Sequence, residues 1–295
     1  MSRTRGEKVF AVFNYCFLGA MCAVCLLPLL NVAAISFSSM EAASAGRVSI
    51  VPVGFNTAAY QNILKQPLFG AAFLNSVKRL LVGVPINMFL IITAAYPLSM
   101  GKNRLRFRQF YVWFFIITLM ISGGLIPTYL TIKELGLLNS FWSLILPGAV
   151  PVYNVILMVN FFRSLPPELE EAARMDGAGS WRILWRICVP CSLPAVATLT
   201  LFCVVNHWNE WFSAQIYLNT MEAFPLQSYL QVLLTQTKDS NMQNLSLKEI
   251  EELSKINTRT YNAAQIVIST LPVLAVYPFL QKYFVTGLTL GGVKS

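Results

Sequence analysis

Apolar residues fill long runs along this chain, and short polar, mostly basic stretches separate them. The first run extends from Val9 to about Phe37, and the second from about Leu74 to Met100. The third covers about Phe110–Leu130 and the fourth about Phe141–Phe162. The fifth covers about Leu193–Phe212 and the sixth about Tyr261–Tyr283. Each holds close to the ~20 apolar residues that carry a helix across a ~30 Å hydrocarbon core. The pattern predicts an all-α, polytopic membrane protein with about six transmembrane helices. Arg3, Arg5 and Lys8 ahead of the first run resemble the start of a signal peptide. The run is too long for a signal core and no small-x-small cleavage site follows a short apolar stretch, so it is read as an uncleaved span. Pro28 is where that span is expected to bend; Pro85 and Pro97 lie in the second.

Composition agrees. Of 295 residues, 56% are hydrophobic and only 12% charged. Soluble domains carry roughly 25% charged residues. Disorder needs low hydrophobicity, which this chain lacks. No internal repeat or low-complexity linker divides the sequence, so residues 1–295 are read as one transmembrane domain.

The net charge of +9 first suggests a nucleic-acid partner. Its placement gives another reading. An even number of spans puts both termini on one side. That side receives thirteen basic residues, among them Arg3, Arg5, Lys8, Lys102, Arg104, Arg106, Arg108, Arg163, Arg174, Arg182 and Arg186. It then carries about +8 and the opposite side about +1, and the positive-inside rule makes the first side cytoplasmic. The excess is a topology signal, and no nucleic-acid partner is expected. Long external segments run over about 38–73 and 213–260. In the second, Ser246 and Glu249 have capping-box spacing.

Six cysteines include two CxxC pairs, Cys22/Cys25 and Cys188/Cys191. Both pairs sit in or beside apolar runs, and the one histidine, His207, has no ligand spacing to them. Burial as small apolar residues is the expectation, not a metal or redox site. The chain contains no G-x-x-x-x-G-K-[ST] phosphate loop and no Ser/His/Asp set. It is read as a transport subunit rather than an enzyme.

The stretch from Ser164 to Gly177 is unusual for a loop between spans. Pro167 suits the first position of a short helix. Glu168, Glu170 and Glu171 favour its N-terminal dipole, and Arg174 its other end. Gly177 suits a left-handed stop. A second short helix follows, with Ser180 as its expected cap and Ile183, Leu184 and Ile187 as its apolar face. Pro190 and Pro194 are expected to end it and start span five. Two short helices at a glycine elbow fit a docking knob for a soluble partner; a plain interfacial helix is the alternative.

Glu171-Ala172-Ala173, then Gly177, then Ile187-Cys188-Val189-Pro190 follow the spacing E-A-A-x3-G-x9-I-x-[LV]-P. Asp176-Gly177-Ala178 forms its centre. This resembles the EAA loop of bacterial ABC importer permeases, with Val189 where leucine is usual. Leu74-Asn75-Ser76 and the tail from Gly287 to Lys294 extend the resemblance. The pattern is similar to the carbohydrate-uptake branch, to second permeases of maltose-type importers, and has a likeness to permeases for complex or acidic polysaccharides such as alginate-type oligomers. The resemblance implies a type I importer permease architecture in the bacterial inner membrane, with cytoplasmic termini. The helix around Glu168–Asp176 would be the coupling helix in a cleft of a separate ATPase. Glu168, Glu171, Ala172, Ala173, Asp176, Gly177 and Ala178 would form that contact. Gly291 and Gly292 would let the tail reach between ATPase subunits; a frayed terminus is the other reading of these glycines. Implied partners are a homologous second permease, two ATPase subunits that bind ATP and magnesium, an extracytoplasmic solute-binding protein, a saccharide and membrane lipid.

The end of span five supplies a candidate substrate path: Asn206, Trp208, Asn209 and Trp211, followed by Gln215 and Tyr217. Trp208 and Trp211 are three apart, as are Asn206 and Asn209, so each pair should share a helix face. Amides and rings suit saccharides; an interfacial aromatic belt, or contacts that close the pore or hold the partner, is the other reading. Lys78 and Arg79, near the outer end of span two, either attract an anionic sugar or snorkel to headgroups. Two further functions stay open at this point, an ion-driven secondary transporter and a membrane scaffold without transport.

Overall fold

The computed structural model describes residues 5–101, 105–239, 259–272 and 274–275. Among them every regular element is a helix. Ser246, Glu249, Gly291, Gly292 and, within the expected sixth span, residues 273 and 276–283 lie outside the described residues. The described residues fall into two compact units: those of Met1–Phe69 and Val232–Leu271, and those of Gly70–Gln231 and Pro272–Ser295.

The first unit begins with α1 (Arg5–Ser36), which runs unbroken through Pro28. Its apolar residues lie on all sides, as in a helix solvated by lipid rather than packed on a core. Burial begins only near its C-terminal end, at Ala34 and Ile35. There Ser38 Oγ donates to Ala34 O (2.6 Å) and accepts from Val53 N (3.1 Å). Ser39 caps the short α2 (Met40–Ser44) through Ala42 N. In α3 (Ala58–Lys65), Tyr60 stacks on Phe37 at 4.7 Å and meets Ser36 Oγ at 2.7 Å. The helix over 259–272 completes this unit. Its Tyr261 and Ala264 pack on Ile63, and Ala263 packs with Ala34 and Ile35.

The second unit is built on α4 (Phe69–Ser99). Val84, Met88, Ile91, Ala95 and Leu98 are buried along it in alternating steps of four and three, a continuous apolar stripe. The stripe packs on Val155, Met158, Val159 and Phe162 of α7 (Val152–Ser164) and on Ala195, Leu199 and Cys203 of α11 (Leu193–Asn209). Cys188 and Cys203 sit in this core as expected, whereas Cys16, Cys22, Cys25 and Cys191 are exposed, and all six are free thiols. Asn75 Nδ2 donates to Glu222 O (2.8 Å) and Ser76 Oγ accepts from Leu226 N (2.7 Å), so this short motif fastens α4 to the segment beyond α11.

Two expected spans are bent, and a third sharp bend lies at the start of span five. Span three divides into α5 (Arg108–Met120) and α6 (Leu125–Glu134), inclined at 115°. Ser122-Gly123-Gly124 breaks it, with Gly124 at φ +81°. Span four is two 3₁₀ turns, Phe141–Leu144 and Leu146–Gly148, followed by α7 at 47°. Pro147 and Pro151 remove the donors a continuous helix needs there. Ahead of α11, α9 (Ser180–Ile183) runs through a π-helical segment, Leu184–Cys188, into α10 (Val189–Cys191), and this rod meets α11 at 85°. Ser180 is not the cap that its residue type suggests. Gly179 occupies the cap position, Ser180 is the first helical residue, and its side chain makes no cap bond. The widened π turn falls just before Pro190; the rod ends one residue later at Cys191, and α11 starts at Leu193 with Pro194 in its first turn, where the two prolines place the junction.

The C-terminal end of α4 is closed by two arginines counted above as topology charges. Arg108 Nε donates to Leu98 O at 2.9 Å and Arg163 Nη2 to the same oxygen at 3.3 Å.

Gly83 marks a close approach of α4 to α11. A Cβ there would lie 2.7 Å from His207 Nε2 and 2.8 Å from its Cε1. The ring cannot swing aside without giving up its 2.5 Å hydrogen bond to Asn87 Oδ1. Gly83→Ala is therefore expected to destabilise the fold by about 1–3 kcal/mol. Thermal unfolding in detergent checks this; an unchanged midpoint would show that the two helices separate freely.

Candidate functional site

Two regions carry the sequence-predicted residues. The first is α8 (Pro167–Met175). Pro166 takes the cap position and Pro167 the first helical position, with Glu168 and Glu170 in the first turn and Arg174 in the last. The helix ends in a Schellman motif: Gly177 N donates to Arg174 O (3.0 Å) and Ala178 N to Ala173 O (2.9 Å). Gly177 holds φ +76°, which requires glycine or a strained substitute.

Ala173 is buried in the core of the second unit, and Ala178 packs against that core. Glu168, Glu171, Ala172 and Asp176 are exposed, and Met175 is 88% exposed. Glu168, Glu171, Ala172 and Met175 follow i, i+3, i+4, i+7, so one face of α8 projects two carboxylates, a small residue and a thioether. Glu170 turns the other way. Its Oε1 accepts from Tyr96 Oη of α4 at 3.0 Å and from Arg174 Nη2 at 2.8 Å. The carboxylate holds the Arg174 guanidinium above its ordinary pKa, chiefly through that hydrogen bond. Among the seven predicted residues, then, Ala173 and Ala178 are inward and the other five form the outer face and its stop. Glu170 and Met175 were not among them. Their i, i+4 and i+7 positions would have revealed them once a helix start at Pro167 was fixed.

The second region is a cavity of about 830 Å³. Phe202, Val205, Asn206, Asn209 and Glu210 line it from α11 and its end, with Asn87 of α4 and Tyr153 and Asn154 of α7 opposite. Asn87 Nδ2 donates to Gly148 O (2.9 Å) and Ala149 O (2.8 Å), which leaves Oδ1 to accept from His207 Nε2–H. The amide thereby ties α4 to the turn before α7 and to α11. No lysine or arginine lines the cavity among the described residues.

Of the six substrate-path residues, Asn206 and Asn209 are brought together on the cavity wall. Trp208 is 3% exposed and packs edge-on against Phe73 at 6.3 Å. Tyr217 is buried and stacks on Tyr129, and Gln215 is half-buried away from the cavity. The two tryptophans do not share a helix face. α11 ends at Asn209, Glu210 is extended, and Trp211 lies beyond the break against Phe212. Asn87 and Asn154 were missed, although an isolated amide inside an apolar run is itself a sign of a cavity or an interhelical contact.

Neither reading of Arg79 as a surface cation holds. It is 3% exposed. Its Nη2 donates to Glu210 Oε2 (2.6 Å) and Leu144 O (3.2 Å), and its Nη1 to Glu210 O (2.9 Å). Glu210 Oε1 accepts from Ser213 N at 2.8 Å, at the start of α12 (Phe212–Tyr217). One ion pair therefore closes the end of α11 and the start of α12 together. Lys78 instead lies over the Phe141 ring, 4.7 Å from its centroid.

Long and broken apolar helices, an amide-walled cavity between them and an outward-facing helix on a polar loop define a membrane transport subunit of the permease class. The match to known families agrees. Residues 51–290 fit the model of the binding-protein-dependent transport system inner membrane component, and the chain belongs to that family. It is 39% identical to Protein LplC of Bacillus subtilis (strain 168), over all of this chain and 98% of that one. It is 38% identical to the polygalacturonan/rhamnogalacturonan transport system permease protein YtcP of the same organism, over 98% of this chain and 99% of the relative. Among solved structures it resembles a chain of a bacterial ABC transporter involved in the import of the acidic polysaccharide alginate. That likeness has a TM-score of 0.82 and 33% identity, and covers 96% of this chain and 99% of the other.

Proposed function

We propose that this chain is one permease half of an ATP-driven importer for an oligo- or polysaccharide. It pairs with a homologous permease in the bacterial inner membrane, with both termini cytoplasmic. An extracytoplasmic binding protein delivers the sugar, and two ATPase subunits bind ATP and magnesium. The single observation that carries the reading is α8: a short helix with an outward face of Glu168, Glu171, Ala172 and Met175, anchored inward by Ala173 and stopped at Gly177. A helix placed only for an interface with lipid would show its apolar side outward, not carboxylates. Relatives that transport polygalacturonan/rhamnogalacturonan and alginate support a saccharide as cargo. The exposed apolar surface of α1 suits membrane lipid.

The cavity wall suits this cargo through hydroxyl recognition. Asn206 and Asn209 each offer donors and an acceptor, and Tyr153 and Phe202 offer rings for the C–H faces of sugars. The described lining residues therefore suit sugar hydroxyls rather than a uronate carboxylate. Ion-driven transporters usually place carboxylates or ion sites at mid-membrane; Glu210 is the acid near that position among the described residues and it is committed to Arg79 and Ser213.

Co-purification in mild detergent tests the class: an ATPase and a second permease should accompany the tagged chain, and its isolation as a lone active transporter would overturn it. For the cavity, Asn206→Ala with Asn209→Ala should lower uptake about tenfold at subsaturating loaded binding protein, while Gln215→Ala stays within about twofold. Equal effects of the two variants would remove the cavity from the path.

A further inference from the structure

We propose that the Tyr96–Glu170 hydrogen bond is the joint through which α8 moves α4, and that α4 carries this motion to the cavity. The proposal rests on the reading of α8 as the ATPase-docking helix and adds the positioning residues that transmit its movement.

The joint is specific. Tyr96 is buried, its hydroxyl donates to Glu170 Oε1 at 3.0 Å, and its ring stands edge-on to Phe162 of α7 at 6.3 Å and 88°. Arg174 binds the same oxygen from one turn along α8, which orients the carboxylate toward Tyr96. A charge-assisted hydrogen bond in a partly buried setting has a directional geometry, unlike an apolar contact that can slide. The outward face of α8 and Glu170 thus belong to one rigid turn with two sides. A push on Glu171 and Met175 reaches Tyr96 without passing through a loop.

From Tyr96 the load travels along α4. No proline interrupts 86–96, and Met88, Ile91, Ile92 and Ala95 lock that stretch into the core. Nine residues from Tyr96, about 13 Å at 1.5 Å per residue, stands Asn87. Asn87 lines the cavity and holds both the turn before α7 and His207 of α11. A further eight residues, about 12 Å, lead to Arg79, which grips the α11–α12 elbow. One helix therefore connects the docking helix to two grips on the cavity wall.

Packing of α8 through Ala173 supplies a competing route. Only a coupling measurement separates them. The reporter is N206C in the complete importer, with the native cysteines replaced by alanine, labelled by a membrane-impermeant thiol reagent. Trapping with magnesium, ATP and orthovanadate is the probe, so no sugar needs to be known. In the parent, trapping should change the labelling rate by roughly tenfold, the scale of opening or closing a cavity. In Y96F and in E170A, each of which removes one partner of the bond, the rate before trapping and the trapped nucleotide should match the parent, while the change falls below about twofold. The double variant should be no worse than either single one. Arg174→Ala, which frees the carboxylate to turn from Tyr96, should give a response between those of the parent and Y96F, and a response equal to the parent's removes Arg174 from the joint. A full response in Y96F overturns the joint; if Y96F fails to assemble, E170A, which keeps the Tyr96 ring packing and removes the acceptor, decides the matter by the same criterion. Loss of response in E171K with a full response in Y96F leaves docking standing and removes the joint. A full response in E171K removes the docking reading whatever Y96F does.

Discussion

Arg79→Ala should cost roughly 3–5 kcal/mol and leave little assembled protein in the membrane. The buried guanidinium holds Glu210 Oε2 at 2.6 Å, Glu210 O at 2.9 Å and Leu144 O at 3.2 Å. Its removal leaves a carboxylate and two carbonyls without their shared donor. Glu210→Gln should be much milder, because a side-chain amide oxygen still accepts from Arg79 or Ser213. Arg79→Lys should sit close to alanine, since an ammonium cannot span the three acceptors with a planar fork. Protein recovered from membranes and its thermal midpoint in detergent measure the series. A fully folded Arg79→Ala would show that the pair is dispensable.

The other large effect is expected at the α8 stop and its outer face. Gly177→Asp places a side chain at φ +76° and weakens the bonds from Gly177 N and Ala178 N that end the helix. Glu171→Lys leaves the helix intact and reverses one charge on its outer face. Both should abolish uptake, by at least about a hundredfold, and abolish stimulation of ATP hydrolysis by the loaded binding protein. They should differ in one respect: Gly177→Asp lowers stability by about 1–2 kcal/mol and Glu171→Lys barely does. Undiminished stimulation in both would detach α8 from the ATPase.

Local signals were legible in the sequence and distant partners were not. Pro167, the acidic first turn, Arg174 and Gly177 each act within a turn of their own position, so the bounds of α8 follow from residue types. The apolar run that forms α4 was legible as well, but the stripe it buries was not singled out. The partners of Arg79 and Tyr96 lie 131 and 74 residues away. Charge type alone cannot choose between a headgroup and a buried acid at such separations. Arg79 thus reads as a surface cation and Glu170 as one of three equivalent first-turn acids until the fold brings their partners in. The tryptophan pair failed differently. Spacing of three implies a shared face only while the helix lasts, and α11 stops between Trp208 and Trp211. At 122–124, Ser-Gly-Gly did announce the break in span three, but the hydrophobicity on either side outweighed it.

The two arginines on Leu98 O give the inside-positive pattern a second meaning. On the proposed topology, Arg108 and Arg163 would help set the orientation of the chain during insertion by charge alone, which lysine would supply equally well. Afterwards the same side chains close the last turn of α4, two residues beyond Tyr96, and that task uses the directed N–H groups of a guanidinium. Exchange of both for lysine should leave the protein correctly inserted with a looser end on its central rod. Biogenesis and mechanics draw on the same two residues at different times, and only the second depends on which basic residue is present.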